Sequence, residues 1–188
     1  EVSLSGTFAG TKMFGLGGNM ERRENAMDYV ANVRIGGMSE SARAKRDGFH
    51  VVSVLDFEDE KSTDKKMFNL VINKLAQKGA TIKALLRKGN SIKVFVHCMQ
   101  GINRAAAAVM AYLICHTPLT LEEAFQAVKS IRPQANIMQA NTFYRELKKL
   151  YDDTETQRNA AIAVAAANDA EIRGDGGEYP DSETPLIQ

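Results

Sequence analysis

Runs of apolar, β-branched residues recur in the first hundred positions and predict strands. The predicted strands cover residues 28–37, 49–57 and 91–96. Near-continuous apolar runs of this kind are typical of strands buried on both faces of a parallel sheet. Amphipathic or alanine-rich segments with helical spacing predict helices over residues 39–48, 103–116, 121–131 and 140–151. The alternation predicts an α/β fold, with a central, mostly parallel sheet of four to five strands flanked by helices on both faces.

Residues 58–90 fit two secondary structures. Apolar residues from Phe68 to Leu86 fall near helical spacing, which fits one long helix. Alternatively, residues 67–72 (MFNLVI) form another short strand and a helix covers only residues 75–88. Periodicity alone does not decide between them. Farther along, Thr120 and Glu123 have the spacing of a capping box at the start of the helix 121–131.

Charge and composition divide the chain into three parts. Residues 1–28 form a glycine-rich N-terminal arm, residues 29–151 a folded domain, and residues 152–188 an acidic tail that is intrinsically disordered or partner-bound, with a short helix at 160–168. The net charge of +1 hides an asymmetry, because residues 151–188 hold nine acidic and two basic residues. Residues 1–150 therefore form a basic body with a net charge of +8. Such a charge favours an anionic partner or substrate, although most of its lysines fit a solvated helix face at least as well.

The two cysteines, Cys98 and Cys115, are too few for a disulfide scaffold and lack the spacing of a zinc site. A reducing, intracellular compartment is therefore predicted: the cytoplasm, or alternatively an organelle such as the mitochondrion. No run of 18 apolar residues is present, so we expect no membrane span. No metal or cofactor is predicted. Cys115 lies on an apolar helix face, which indicates core packing.

The segment HCMQGINR, residues 97–104, has the chemistry of a phosphate-binding loop. The strand before it brings His97 and Cys98 to the sheet edge, and the helix after it directs backbone N–H groups and a positive dipole to one point. Gly101 permits a close backbone approach to a ligand, and Arg104 has a planar fork that matches two phosphate oxygens. The same groups favour a thiolate at Cys98, which can attack phosphorus. The predicted cradle is the backbone of Met99, Gln100, Gly101, Ile102 and Asn103.

The stretch VFVHCMQGINRAAAAVMAYLI resembles the HCxxGxxR signature loop and following helix of the cysteine-dependent protein phosphatases, most closely the dual-specificity branch. LTLEEAFQAVKSIRP and NTFYREL are similar to the next two helices of that branch, and ANVRIGG and GFHVVSVL to its first strands. The resemblance covers residues 29–151. It implies that Cys98 is the nucleophile, Arg104 the phosphate clamp and His97 a support for the thiolate, with a phosphorylated protein as substrate.

Two positions depart from the family pattern. The family normally has Ser or Thr directly after the arginine, where the hydroxyl stabilises the departing thiolate, and this chain has Ala105. The family's general acid is an Asp about thirty residues before the cysteine, and Asp64, 34 positions before Cys98, is the candidate. If residues 67–72 are a strand, the acid position falls near Asn73 or Lys74 and the acid is absent.

Three functions follow from these observations. The first is a dual-specificity or tyrosine-type phosphoprotein phosphatase that acts through a phosphocysteine intermediate, with weakened turnover. The second is an RNA 5′-triphosphatase, because GINR also resembles the loop of cysteine-type enzymes of that class and the basic body would suit RNA. The third is a catalytically degenerate subunit or scaffold that uses both arms to join a larger assembly, of which a ribonucleoprotein is one kind.

Overall fold

The computed structural model describes residues 25–56, 65–137 and 143–174, with side chains to residue 168. The strands of the described residues are β1 (Val33–Gly37), β2 (His50–Ser53) and β3 (Val94–Cys98). The helices are α1 (Ser41–Arg46), α2 (Lys65–Leu86), α3 (Arg104–His116), α4 (Leu121–Ile131) and α5 (Tyr144–Gly174). Single 3₁₀ turns at Asp28–Val30 and Met38–Glu40 lie on either side of β1. The predicted arm up to residue 24 and the last 14 residues lie outside the described residues.

Within the described residues, the sheet is parallel and has three strands in the order β1-β3-β2. The prediction of four to five strands was therefore wrong in number. The register pairs Gly37 with Cys98, and Ser53 with His97. Since all three strands run the same way, their carboxyl ends meet at one edge, and β3 brings Cys98 to the middle of that edge.

Helices cover both faces of the sheet, which confirms the predicted α/β class. Val94, Val96 and Cys98 alternate along β3 and belong to the main core, which also includes buried side chains from α2 to α5. Phe95 points the other way and makes an edge-on contact with Phe49, at 6.5 Å between ring centroids. The short helix α1 packs against β2 and β3. Successive side chains of β3 are thus buried on opposite faces of the sheet, against the main core on one face and against the layer of Phe49 and α1 on the other.

The segment that fitted two secondary structures is a single helix, α2, so the strand at residues 67–72 was wrong. Val71, Leu75, Gly79 and Ile82 are buried, at spacings of three and four residues. This face packs closely on α3, because a Cβ added at Gly79 would lie 2.8 Å from the backbone nitrogen of Tyr112. The buried face extends over residues 71–82, about three helical turns, whereas the strand pattern covers only six residues. Burial on α3 therefore stabilises the helix.

The two last helices differ in how well the sequence predicts their ends. At the start of α4, Thr120 and Glu123 form the predicted capping box, with the Thr120 N–H donating to Glu123 Oε2 at 2.8 Å. In contrast, α5 continues to Gly174, well past the predicted domain boundary at residue 151 and the short helix predicted at residues 160–168. Its side chains are exposed from Asn159 to Asn168. Among the described residues, no helix has both the length and the apolar character needed to cross a membrane.

Candidate active site

Cys98 is the last residue of β3 and is buried beneath the loop that follows it. Its Sγ accepts a hydrogen bond from the backbone N–H of Gly101 at 3.2 Å. Residues 99–103 form the loop, and α3 begins at Arg104, so the amino-terminal end of a 13-residue helix lies directly after it. The arrangement has the expected order of strand, thiol, loop and helix dipole, which favours an anion at this end of α3.

Gly101 is required by both conformation and space. Its φ of 71° lies in the left-handed region, which L side chains rarely adopt. A Cβ added here would lie 2.3 Å from the carbonyl carbon of Gly36 in β1. Gly37 is also close to the loop, because its added Cβ would lie 3.1 Å from the Met99 oxygen. The glycine pair of β1, which the sequence predicted only as a strand end, therefore lets the loop lie against the neighbouring strand.

The carbonyl groups of the loop are all bonded to donors outside it. The oxygens of Met99 and Ile102 accept from the backbone N–H groups of Met38 and Asn136, at 3.1 and 3.2 Å. The oxygens of Gln100 and Gly101 accept from the Arg132 guanidinium, at 2.9 and 3.1 Å. Sequence reasoning missed these donors, because the contacts join distant parts of the chain and no local periodicity marks them.

The loop surrounds a cavity of about 260 Å³. The cavity is lined by Cys98, Met99, Gln100, Ile102, Asn103 and Arg104. The structure therefore brings together the predicted thiol, the predicted arginine and most of the predicted cradle. A thiol, several backbone N–H groups and a guanidinium around one small opening can bind a tetrahedral oxyanion.

His97 lies beside this site without bonding to its sulfur. The side chain is buried, and its ring stacks on Phe95 with 6.2 Å between centroids. Because side chains alternate along a strand, His97 faces the layer opposite to that of Cys98. Its Nδ1 has no hydrogen-bond partner in the described part of the chain. The role of His97 in supporting the thiolate stays a prediction.

The predicted general acid, Asp64, lies outside the described residues, although α2 begins at the very next position. The nearest described carboxylate after β2 is Asp56, which forms ion pairs with Lys74 at 3.3 Å and Lys78 at 3.1 Å. Partial burial acts to raise the pKa of Asp56, but hydrogen bonds, including those from Lys78 and Lys74, and the charge of Lys78 outweigh it and hold the pKa below its usual value. Asp56 is therefore ionised near neutral pH and unsuited to donate a proton.

Ala105 is fully buried in the first turn of α3, so no hydroxyl follows Arg104. Cys115 lies near the other end of the same helix, half-buried and 3.8 Å from the Thr154 hydroxyl. Burial raises the pKa of the Cys115 thiol. The two cysteines therefore differ in surroundings, and only Cys98 lines the cavity at the start of α3.

Comparison with known proteins places the same residues in a wider family. The sequence profile of the "Dual specificity phosphatase, catalytic domain" family matches residues 19–153. Human dual specificity phosphatase 28 is 37% identical over 78 residues, which is 42% of this chain and 42% of that protein. Rat dual specificity protein phosphatase 4 is 34% identical over 92 residues, which is 48% of this chain and 22% of that protein.

A crystal structure of human DUSP28 has a similar fold. It aligns with a TM-score of 0.56 and 23% identity, over 69% of this chain and 97% of the other. At this identity the likeness concerns the fold alone. The chain spans less than half of the length of the two curated relatives above.

Proposed function

Because the chain belongs to the family of dual specificity phosphatase catalytic domains, we propose that it is a phosphoprotein phosphatase working through a phosphocysteine intermediate. The observation that carries the proposal is the environment of Cys98. Its sulfur accepts a hydrogen bond from the Gly101 N–H. Cys98 and Arg104 line the same cavity at the start of α3. An apolar core cysteine has no need of such a loop.

The chemistry has two steps, each assigned to residues of the cavity. The Cys98 thiolate attacks the phosphorus of a phosphoester, so an S–P bond forms and the P–O bond to the substrate breaks. The departing oxygen takes a proton and leaves as the free hydroxyl of the protein substrate. Water then attacks the phosphocysteine, the S–P bond breaks, and inorganic phosphate leaves. Arg104 and the loop N–H groups hold the phosphoryl oxygens throughout.

Two positions, Asp64 and Ala105, govern the rates of the two steps. We propose Asp64 as the proton donor of the first step, since it directly precedes α2 and Asp56 is held ionised by lysines. The second step lacks the hydroxyl that the family has after the arginine, because Ala105 occupies that position. A lost hydrogen bond to a charged group is worth about 1.5–3 kcal/mol, so hydrolysis of the intermediate should be about tenfold to a hundredfold slower.

The substrate we propose is a phosphorylated tyrosine, serine or threonine of another protein, in a compartment that keeps Cys98 reduced. A second candidate function is a phosphate-binding subunit of a larger assembly. Two observations favour it: the alanine after Arg104, and the run of exposed side chains on α5 that includes Ile162 and Val164. RNA remains an alternative anionic substrate for the basic body.

One assay series separates these functions. The purified chain and its Cys98→Ser variant are assayed on p-nitrophenyl phosphate, a phosphopeptide and a 5′-triphosphate RNA. We expect release of phosphate from the first two substrates, with loss of release in the variant. Absence of Cys98-dependent release on every substrate would reject the enzyme and leave the phosphate-binding subunit. Release from RNA alone would make the RNA 5′-triphosphatase the better description.

A further pair of variants tests the proton donor. Asp64→Asn should lower kcat/KM on the phosphopeptide, which reports the first step, about 10²- to 10⁴-fold, the usual contribution of general acid–base catalysis. The loss should be smaller on p-nitrophenyl phosphate, whose leaving group needs little protonation. Asp56→Asn is the matched control, because Asp56 is already paired with Lys74 and Lys78. Equal losses in both variants would argue against Asp64.

A further inference from the structure

Arg132 lies one position beyond the end of α4 and bonds to the loop beneath the candidate site. Its Nη2 donates to the Gln100 oxygen at 2.9 Å, and its Nε donates to the Gly101 oxygen at 3.1 Å. Two donors of one planar group thus hold two neighbouring carbonyls, which fixes their orientation more firmly than two separate side chains could. Within the described residues, Arg132 forms no ion pair with a carboxylate, so its charge acts on the loop itself.

The Gln100–Gly101 peptide links Arg132 to the thiol of Cys98. Its carbonyl accepts from Arg132, and its N–H donates to Cys98 Sγ at 3.2 Å. A trans peptide is planar with C=O and N–H opposed, so holding the oxygen toward Arg132 directs the N–H toward the sulfur. A cationic donor on the carbonyl also polarises the peptide and strengthens its N–H as a donor. One peptide therefore transmits the charge of Arg132 to the sulfur.

The hydrogen bond from Arg132 to the Gly101 oxygen orients the next peptide of the loop in the same way. With the Gly101 oxygen held by Arg132, the N–H of Ile102 is turned to the opposite side of that peptide. The remaining carbonyls of the loop, those of Met99, Ile102 and Asn103, bond to backbone donors that no side-chain change removes. Arg132 is thus the side chain among these donors on which the orientation of the loop depends.

We propose that Arg132 is a positioning residue that stabilises the Cys98 thiolate and the bound oxyanion through the Gln100–Gly101 peptide. This inference rests on the proposed function, in which Cys98 is the nucleophile. Arg132 does not line the cavity with Arg104, and so it acts through the loop without touching the substrate. In this role Arg132 affects the chemistry of Cys98, which a residue that only holds α4 against the loop would not do.

The test uses three variants of the full chain in a Cys115→Ala background, so that only Cys98 can be alkylated. Arg132→Met removes the charge and both hydrogen bonds, while Arg132→Lys keeps the charge without the fork. Lys129→Met is the matched control, because Lys129 donates to the oxygens of Pro133 and Ala135 in the same connection and has no hydrogen bond to the loop. It removes one charge and two hydrogen bonds close by.

The first readout is the rate of Cys98 alkylation by iodoacetamide across a pH series, which reports the thiolate and needs no turnover. In Arg132→Met we expect the midpoint to move to higher pH by about one unit, equivalent to a tenfold smaller thiolate fraction below the midpoint. Arg132→Lys should give an intermediate shift, and Lys129→Met none. The second readout is phosphate binding to the Cys98→Ser chain by calorimetry, which should weaken about tenfold with Arg132→Met.

The outcomes distinguish this inference from the proposed function. An unchanged alkylation midpoint in a folded Arg132→Met variant overturns the inference, even if Cys98-dependent hydrolysis is found. A shifted midpoint in a chain that hydrolyses no substrate supports the inference and rejects the enzyme. If Arg132→Met does not fold, Arg132→Lys decides, because an unshifted midpoint in that variant overturns the proposal. A purely structural role would lower the free energy of unfolding and leave the midpoint unchanged.

Discussion

At the scale of single residues, two small side chains, those of Gly101 and Ala105, shape the candidate site as much as its charged residues do. Gly101 adopts a left-handed conformation against Gly36, which lets the loop carry its N–H groups close to Cys98. Ala105 matters for what its side chain lacks, because the family normally has a hydroxyl at this position. Each of these positions can be tested by adding a few atoms.

The substitution Ala105→Ser should restore the second step of the proposed reaction. We expect steady-state kcat on p-nitrophenyl phosphate to rise about tenfold to a hundredfold, the reverse of the loss inferred for the missing hydrogen bond. The rate constant for formation of the phosphocysteine should stay the same, since that step does not use the hydroxyl. Rapid-quench kinetics would measure both phases.

Ala106→Ser serves as the control for this substitution, because Ala106 is also fully buried in the first turn of α3 but does not follow the arginine directly. A similar gain in both variants would mean that the hydroxyl acts through general effects on the helix. No gain in Ala105→Ser would mean that hydrolysis of the intermediate does not limit turnover.

The substitution Gly101→Ala should destabilise the chain more than Gly48→Ala. Both glycines have positive φ, at 71° and 83°, so each alanine incurs about 1–2 kcal/mol for the left-handed conformation. Among the described residues, no atom lies within 4 Å of a Cβ added at Gly48, whereas a Cβ at Gly101 would overlap the backbone of Gly36. Urea unfolding of the two variants would measure the difference, and equal losses would show that the loop can move away from β1.

At the scale of elements, the helix α2 links the end of β2 to the centre of the domain. Its buried face packs on α3, and its Lys74 and Lys78 hold Asp56, three residues past β2. Lys74 also donates to the Asp56 backbone oxygen at 3.0 Å. These contacts fix the chain where it leaves the sheet, just before the segment that contains Asp64.

The ion pairs of Asp56 should make a pH-dependent contribution to stability. The pKa of Asp56 in the folded state lies below its ordinary value of 3.8, so this stabilisation is fully present above pH 3.8 and is lost as pH falls through the lowered pKa. Because the side chains are partly exposed, Asp56→Asn should lower the free energy of unfolding by only about 0–1 kcal/mol at neutral pH.

Urea unfolding of wild type and Asp56→Asn at about pH 7 and about pH 3 would measure this difference, which should shrink at the lower pH. A double-mutant cycle with Lys78→Met separates the ion pair from other effects of each substitution. A difference that grows on acidification would contradict the assignment, since it would require a raised pKa in the folded state.

At the scale of the whole molecule, the chain belongs to the family of dual specificity phosphatase catalytic domains, and its last helix continues past the family match. The family match over residues 19–153 confirms the resemblance predicted from HCMQGINR. The helix α5 extends 21 residues beyond that match. Its first part still belongs to the domain, because Arg158 Nη2 donates to the Ile114 oxygen at 2.6 Å and to the Thr117 oxygen. After Arg158 the described side chains are exposed.

The substitution Arg158→Met should therefore destabilise the domain, although it lies beyond the family match. The loss of charged donors at the carboxyl end of α3 should lower the free energy of unfolding by about 1–3 kcal/mol. Ile162→Asp, one turn farther along α5, should change it by less than about 0.5 kcal/mol, because that side chain is 67% exposed. Thermal and urea unfolding would compare them, and equal effects would contradict a domain that ends near Arg158.

Local patterns in the sequence determined much of the fold and the identity of the site. The β-branched runs predicted the three strands of the sheet, and helical spacing predicted α3, α4 and the start of α5. The capping box at Thr120 was correct because it depends only on residues three apart. The order of strand, thiol, glycine and arginine located the loop, since a strand end and a helix start determine where N–H groups point.

Tertiary structure decided what local patterns could not. Residues 67–72 fit a strand and a helix equally well, and burial against α3 selected the helix. The parallel order β1-β3-β2 brought Gly36 next to Gly101, and the end of α4 brought Arg132 to the loop carbonyls. Such contacts join residues about 30 or 65 positions apart, so no short-range periodicity encodes them. The sequence determined which chemical groups the loop itself contains, and the packing of distant segments determined how that loop is held.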